Sequence, residues 1–232
     1  MKQTVYEYDF ELRRERSRRI TTVTVTAVLI VLVLTAFLHF LLFPVLTRSD
    51  SMSPEIDRNS VIFVSPLVKT PSRGDIVYID RLDGKKLSWW QNALDALTAF
   101  FTVQQVRPFA NSSRVTGNNT LRRVVALPGD RITLTGGILF VTPKGGSHSL
   151  TEFELSEKKY NPKVPVSASD GWDFLGTNEE LTDYVLGEDE YFVLSDDRAC
   201  GTDSRLWGPI KSSQIKGRAV LEAFPFNRFS LL

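Results

Sequence analysis

Three short segments carry the residue types that acyl-transfer chemistry requires. The first is SDSMSP over 49–54, in which three serine hydroxyls alternate along the chain. The second is LRRVVALPGD over 121–130, an apolar strand pattern with two arginines near its start and a turn signal at its end. The third is SDDRACGTDSRLWG over 195–208, where carboxylates and guanidinium groups are close enough to form bidentate ion pairs. A serine becomes a nucleophile when a neighbouring group takes its proton, so these segments are candidates for a hydrolytic site. Each segment alone is also compatible with an ordinary turn or ion-pair brace.

The composition argues against several other kinds of site. Lys and Arg total 28 against 27 Asp and Glu, so the net charge of +1 predicts no nucleic-acid partner. Cys200 is the only cysteine, which excludes an intramolecular disulfide and a cysteine-based zinc site. The only histidines are His39 and His148, so we expect no histidine-based metal site and no cofactor. A Ser-His-Asp triad would have to use His148.

An apolar segment precedes the first serine segment. Residues 20–46 carry no formal charge, and as a helix they would be about 40 Å long, enough to cross a bilayer. We interpret them as a retained transmembrane helix, because the run is longer than a usual signal-peptide core and no A-x-A-like site closes it. Arginines are more frequent before this segment than after it, which predicts a cytoplasmic tail at 1–19 and an extracytoplasmic domain at 47–232. The arginines before it are Arg13, Arg14, Arg16, Arg18 and Arg19, and Arg48 follows it.

Beyond the apolar segment, short β-type runs alternate with clusters of Gly, Pro, Asn and Asp, which predicts a mainly β domain. The runs are 61–66, 75–79, 122–127, 131–143, 191–194 and 217–224. Within 131–143, Gly136-Gly137 separates two apolar stretches and indicates a two-residue hairpin turn. Residues 144–187 are polar and are expected to form a cap or long loops.

Residues 87–106 do not fit the β pattern. Leu87, Trp90, Leu94, Leu97 and Phe101 recur at spacings of three and four, which predicts a helical insertion with an apolar stripe. Two interpretations stay open for this helix. It could lie in the lipid interface, since aromatic residues are frequent in it, or it could pack on the β domain.

Taken together and in this order, the segments resemble the conserved boxes of the type I signal peptidases, membrane-bound serine proteases that remove signal peptides with a Ser-Lys dyad. The serine box is SDSMSPEI, a Gly-Asp strand is RGDIVYI, the base-bearing strand is RRVVALPGD and the last box is SDDRACGTDSRLWG. The resemblance extends from the apolar segment to the C-terminus, apart from 85–115 and 144–187. It implies an antiparallel signal-peptidase-like β domain after one transmembrane helix, single-pass in the cell membrane. The implied partners are membrane lipid and the signal peptides of exported precursor proteins.

The resemblance also implies roles for individual residues. Ser51 would be the acyl-forming nucleophile, and the Ser49 hydroxyl with the Ser51 backbone N–H would stabilise the oxyanion. Asp203 and Arg205 would form a pair that supports the site. Further supporting residues are expected to be Arg123, Asp196 and Arg198. This assignment requires the Ser51 hydroxyl to face the start of the RRVVAL strand.

One position departs from the family in a way that changes the chemistry. The base lysine belongs at the first residue of RRVVALPGD, and this chain has Arg122 there. Burial can lower a lysine pKa from about 10.4 to near 7, but an arginine starts at about 12.5 or above and stays protonated in proteins. Gly201 stands where the family usually has a serine bonded to that lysine. A working enzyme would therefore need another proton acceptor, such as Asp50 or His148.

Three functions are compatible with these residues. The first is a signal peptidase I-type serine endopeptidase, favoured because the nucleophile and oxyanion positions are intact. The second is a catalytically impaired relative that binds extended peptides or assists surface-protein assembly without cleavage. The third is a structural β domain tethered to the membrane.

Overall fold

A computed structural model of the protein describes residues 2–68, 70–80, 88–103, 119–135, 138–156, 158–164, 181, 183–200 and 202–232. The chain divides into two compact units, Met1–Leu41 and Leu42–Leu232.

The first unit is one long helix, α1, over Lys2–Leu41. It contains residues 2–19 of the predicted tail and residues 20–41 of the predicted apolar segment. The apolar side chains between Ile20 and Val33 are exposed. Of the helices within the described residues, none has both the length and the apolar character needed to cross a membrane. The prediction that the helix continues to residue 46 is wrong. The helix ends at Leu41, and Phe43–Leu46 form a strand. Pro44 explains this boundary, since proline lacks the N–H that a helix interior needs.

The second unit is built mainly of antiparallel strands, which confirms the mainly β part of the predicted fold class. Its strands are β1 Phe43–Leu46, β2 Val61–Ser65, β3 Ile76–Asp80, β4 Asn119–Ala126, β5 Arg131–Thr135, β6 Ile138–Thr142, β7 Leu150–Thr151, β8 Tyr184–Val185, β9 Glu190–Leu194, β10 Ile210–Lys211, β11 Ile215–Phe224 and β12 Ser230–Leu231. The larger sheet has the order β1-β2-β11-β3-β4-β9-β10, with β12 also paired to β11. The smaller sheet has the order β7-β6-β5-β8.

Short helices connect these strands. They are α2 Trp89–Phe101, α3 Glu152–Leu155 and α4 Ser204–Trp207, with 3-10 turns at Ser212–Gln214 and Phe226–Arg228. The helix predicted within 87–106 is confirmed over Trp89–Phe101, and residues 87 and 104–106 lie outside the described residues. The described parts of 144–187 contain β7, α3 and β8 joined by loops.

The hairpin predicted within 131–143 is present. Strands β5 and β6 pair with Thr135 opposite Ile138, the register that a two-residue turn requires. Gly136 and Gly137 themselves lie outside the described residues. The preceding Pro-Gly-Asp turn needs its glycine, because Gly129 has a φ of 84°, in the left-handed region that other residues rarely adopt.

The core of the larger sheet lies directly beneath the serine segment. All five residues of β3 are buried, since this strand runs between β11 and β4. Met52 and Ile56 from the serine segment pack into the same cluster as Ile76 and Tyr78. Burial of an apolar side chain of this size stabilises the fold by roughly 1.5–3 kcal/mol. The two anchors therefore fix the backbone on the C-terminal side of Ser51.

Candidate active site around Ser51

Ser51 lies in a tight turn held from both sides. The Ser53 N–H donates to the Asp50 carbonyl at 2.9 Å, and the Ile56 N–H donates to the Met52 carbonyl at 2.9 Å. From the third segment, the Asp197 N–H donates to the Ser51 carbonyl at 3.0 Å. These bonds and the two apolar anchors restrict the turn, so the Ser51 side chain has a defined direction.

The Ser51 hydroxyl meets the two groups that the sequence placed beside it. Ser49 Oγ lies 2.9 Å from Ser51 Oγ. Arg122 Nη1 donates to Ser51 Oγ at 3.0 Å. Ser51 and Arg122 are only 2 % and 3 % exposed, so their contact is screened little by water. The structure thus brings together the residues that the resemblance places at the reactive centre.

Strand β4 fixes Arg122 in this position. Arg122 pairs in register with Val77 of β3, deep in the larger sheet. Its Nε and Nη2 donate to the Thr202 carbonyl at 2.9 and 2.7 Å, and Nη1 also donates to Thr120 Oγ1 and to the Leu121 carbonyl. A guanidinium held by so many acceptors is a rigid group. It cannot turn away from Ser51 without losing several bonds.

The direction of the hydrogen bond decides what this centre can do. A guanidinium has five N–H donors and no acceptor, so Arg122 can donate to Ser51 Oγ and cannot take its proton. Within the described ranges, the hydrogen bonds of Ser51 Oγ join it to Ser49 and Arg122. Neither Asp50 nor His148 contacts this hydroxyl there, and His148 Nδ1 lies 3.3 Å from Ser147 Oγ instead. Ser51 Oγ is therefore held by a hydrogen-bond donor, and the described residues place no base against it.

Arg123, the neighbour of Arg122 on β4, has a different environment. Its Nε and Nη2 donate to both carboxylate oxygens of Asp196, at 2.7 and 2.5 Å, and Nη1 donates to the Gly74 carbonyl at 2.7 Å. Burial alone would lower the pKa of Arg123, but the hydrogen bonds and charge of Asp196, with Glu55, outweigh it and raise the pKa. Gly74 has a φ of 87°, so glycine is needed where the carbonyl turns toward this guanidinium.

Asp203 and Arg205 form the second buried pair. Arg205 Nε and Nη2 each donate to the Asp203 carboxylate at 2.7 Å, and Ser195 adds its N–H and hydroxyl at 3.0 and 2.7 Å. Burial alone would raise the pKa of Asp203, but Arg205 and Ser195 favour the charged form and lower it. Asp203 also caps α4 by accepting from the Arg205 N–H. The pair fixes the loop that carries the Thr202 carbonyl toward Arg122. Gly201 lies outside the described residues.

Arg198 is braced by a residue that sequence reasoning missed. Arg198 Nη2 donates to Glu152 Oε2 at 2.6 Å, with both side chains buried. Tyr160 donates its hydroxyl to Glu152 at 2.9 Å, and the Arg123 guanidinium lies 4.2 Å from the Tyr160 ring centroid. Burial, with the charge of Glu152, raises the pKa of Tyr160. Neither Glu152 nor Tyr160 belongs to a recognisable motif, and both lie in the polar segment 144–187, for which the sequence predicts a cap or long loops.

A second missed contact crosses from that cap to the serine turn. The Lys163 N–H donates to the Asp196 carbonyl at 2.9 Å, and the Arg198 N–H donates to the Lys163 carbonyl at 3.0 Å. Lys163 Nζ then reaches Ser53 Oγ at 3.0 Å. The cap is therefore fastened along the same stretch that holds Ser51. Among the described residues, no group of three or more His, Cys, Asp or Glu side chains could hold a metal ion.

Comparison with known proteins gives the same assignment as the site. The family described as "Signal peptidase, peptidase S26" matches residues 18–224. "Probable signal peptidase I-2" of Synechocystis is 23% identical over 187 residues, covering 79% of this chain and 64% of that protein. "Signal peptidase I" of Leptolyngbya laminosa is 24% identical over 187 residues, covering 79% of this chain and 70% of that protein.

Two further matches are shorter or structurally weaker. "Signal peptidase IB" of Staphylococcus aureus is 27% identical over 109 residues, covering 47% of this chain and 55% of that protein. The crystal structure of a signal peptidase I from Enterococcus faecalis has a TM-score of 0.33 at 19% identity, covering 65% of this chain and 97% of that one. The family match spans most of the chain, however, and its residues include both Ser51 and Arg122. The chain therefore belongs to the signal peptidase family, peptidase S26.

Proposed function

We propose that this protein is a membrane-anchored, signal-peptidase-like protein that binds the signal-peptide region of exported precursors at the Ser51 site without cleaving it. One observation carries the proposal: Arg122 Nη1 donates to Ser51 Oγ at 3.0 Å. Arg122 occupies the place where the family's mechanism requires a neutral lysine. The Ser51 hydroxyl therefore accepts a hydrogen bond from Arg122, whereas its activation as a nucleophile requires a neighbouring group that accepts its proton.

The loss of the base has a large expected effect. General-base assistance contributes about 10² to 10⁴ in rate. Taking a proton with Arg122 would require a neutral guanidinium, which proteins do not provide. Hydrogen bonds from Arg122 and Ser49 to a bound peptide need no proton transfer. Binding can therefore persist where hydrolysis fails.

Two observations support membrane anchoring. Residues 20–46 carry no formal charge and are preceded by an arginine-rich stretch. In α1, the apolar side chains of Val23, Leu29, Ile30 and Val33 are all more than half exposed. Such side chains suit contact with lipid, and the arginines on the N-terminal side orient the chain with that end in the cytoplasm. We therefore assign a single-pass topology with the β domain outside.

A second candidate function is a serine endopeptidase that removes signal peptides. The Ser49–Ser51 hydroxyl pair at 2.9 Å favours it, because both hydroxyls that the family's mechanism needs are in contact. This function requires a proton acceptor brought to Ser51 by the substrate or by a rearrangement of the site. The two candidates differ in whether Ser51 becomes acylated.

Titration calorimetry and mass spectrometry on the full chain in detergent test the proposal. The titrant is a synthetic signal peptide with an A-x-A cleavage context, and Ser51→Ala is the matched control. We expect saturable binding to both proteins, and we expect to recover the peptide intact from both. Absence of binding would overturn the proposal. Cleavage by the wild type that Ser51→Ala abolishes would establish the second candidate in its place.

A further inference from the structure

The insertion helix α2 turns its apolar face outward. Trp89 is 81 % exposed, Trp90 and Leu94 are each 45 % exposed, and Leu97 is 38 % exposed. Trp90, Leu94 and Leu97 follow the three- and four-residue spacing of one helix face. The stripe that the sequence predicts is therefore present, and at these positions it is not buried against the β domain. Contiguous exposed apolar surface of this kind marks an interaction site.

The carboxylate of α2 is buried, and the threonine hydroxyls at its C-terminal end are bonded to helix carbonyls. Asp95 is the only charged residue between 88 and 103, and its side chain is 5 % exposed. The hydroxyls of Thr98 and Thr102 donate to the carbonyls of Leu94 and Thr98, four residues back along the helix, at 2.9 and 2.6 Å. The outer face consequently presents apolar surface and no formal charge.

Three features point to a lipid surface as the occupant. Thirteen residues make a helix of about 20 Å, too short to cross a hydrocarbon core of about 30 Å but suited to lying along its boundary. Two tryptophans begin the helix, and tryptophan is enriched at the level of lipid headgroups. Lys85 and Lys86 precede it in the sequence, and lysines close in sequence to an interfacial helix favour anionic headgroups.

We propose that α2 lies in the plane of the lipid interface, with Trp89, Trp90, Leu94 and Leu97 inserted among the headgroups and upper acyl chains. This second contact would hold the unit that carries Ser51 at the bilayer surface. The inference rests on the membrane anchoring included in the proposed function.

Tryptophan quenching in vesicles tests this placement. The full chain is reconstituted into phosphatidylcholine–phosphatidylglycerol vesicles that contain acyl-brominated lipid. One variant, Trp172→Phe with Trp207→Phe, reports on Trp89 and Trp90, and the complementary variant, Trp89→Phe with Trp90→Phe, reports on the other two. We expect brominated lipid to quench the fluorescence of the α2 reporter at least about twofold more strongly than that of the complementary variant. Aqueous iodide should quench the α2 reporter weakly. The reverse pattern, with iodide quenching and no lipid quenching, would overturn the inference.

A matched pair of substitutions keeps the test independent of the tryptophan changes. Leu94→Ser with Leu97→Ser should reduce lipid quenching of the α2 reporter by about half, whereas Leu67→Ser, at an isolated exposed leucine, should leave it unchanged. Equal effects of the two would overturn the inference. Resistance of the α2 reporter to both quenchers, with a dimer in cross-linking, would show a second copy on this face and also overturn it.

Vesicle flotation and peptide binding separate this inference from the proposed function. Failure of the wild type to float with vesicles would remove the membrane anchoring and the inference together. Flotation and intact peptide binding without lipid quenching would overturn the inference alone.

Discussion

Arg122 and Arg123 are adjacent on β4, but their guanidinium groups have different hydrogen-bond partners. Successive side chains of a strand point to opposite faces, so the two guanidinium groups enter different surroundings. Arg123 lies against the Asp196 carboxylate, which it meets with two hydrogen bonds. Arg122 donates to hydroxyl and carbonyl oxygens, among them Ser51 Oγ. Arg123 braces the site through a carboxylate, whereas Arg122 donates to the Ser51 hydroxyl, the position at which we propose that a base is missing.

Two buried ion pairs brace the site independently of the contact between Arg122 and Ser51. The pairs Arg123–Asp196 and Asp203–Arg205 are buried and bidentate. They hold the third segment in position whether or not Ser51 reacts. Since removing one partner of such a pair leaves a buried charge, these positions are constrained by stability.

The largest change is expected when Arg122 is replaced by a lysine, which, unlike an arginine, can act as a base. Arg122→Lys with Gly201→Ser restores an amine that can lose its proton and the hydroxyl that the resemblance places beside it. We expect signal-peptide cleavage to rise by about 10² to 10⁴ over the wild type, as measured by product formation. Adding Ser51→Ala to this variant should return the rate to background. A double variant no faster than the wild type would refute the role assigned to Arg122.

The next largest effect is expected at the bracing arginine. Asp196→Asn leaves the buried Arg123 guanidinium without its carboxylate, and we expect the free energy of unfolding to fall by about 3–5 kcal/mol. Chemical denaturation in detergent, followed by tryptophan fluorescence, measures this loss. Asp183→Asn is the matched control, because its pair with Arg131 is solvent-exposed and should contribute at most about 1 kcal/mol. Similar losses in both variants would contradict the distinction between the buried and the exposed pair.

A smaller effect, with a defined pH dependence, is expected for the other buried pair. The pKa of Asp203 is lowered in the folded protein, so its charge stabilises the fold above the unfolded pKa of about 3.9. This stabilisation is lost as the pH falls through the folded pKa. Asp203→Asn should therefore cost about 3 kcal/mol near pH 7, and the gap to the wild type should narrow below about pH 4. A gap that stays constant between pH 7 and pH 2 would contradict the ion-pair account.

The smallest effect is expected at a third arginine, Arg228, which is partly exposed. Arg228 donates to the carbonyls of Pro54 and Glu55 and pairs with Asp57, so it braces the turn after Ser51 from the C-terminal tail. We expect Arg228→Gln to lower the free energy of unfolding by about 1 kcal/mol, as measured by denaturation. Arg131→Gln, which breaks the exposed pair with Asp183, should cost less. If Arg228→Gln lowers the free energy of unfolding as much as Asp196→Asn does, then burial does not determine how much each arginine contributes to stability.

Much of the fold follows from local sequence patterns. The alternating and apolar runs place most of the long strands within two or three residues, and the spacing of Trp90, Leu94 and Leu97 predicts α2. Strand β1 was misplaced because its residues continue the apolar run of α1, and only Pro44 marks the change. The two-residue strands β7, β8 and β10 carry too little pattern to be found from sequence, since they form by pairing with longer neighbours.

The contact between Ser51 and Arg122 could be expected from the order of the boxes, and the geometry around them only in part. The partners of Arg198 and Ser53 come from Glu152 and Lys163, in a segment with no motif. Those contacts depend on how the cap folds back over the third segment, which no local pattern encodes. The exposed face of α2 likewise follows from tertiary placement, because the same stripe is compatible with burial.

Covalent labelling of Ser51 measures whether this serine is activated as a nucleophile. The wild type, Arg122→Lys with Gly201→Ser, and Ser51→Ala are incubated with a fluorophosphonate, and modification of the Ser51 peptide is followed by mass spectrometry. Because Arg122 donates to Ser51 Oγ and takes no proton from it, we expect wild-type labelling at the background rate of Ser51→Ala and faster labelling of the double variant. Labelling of wild-type Ser51 as fast as in the double variant would contradict it.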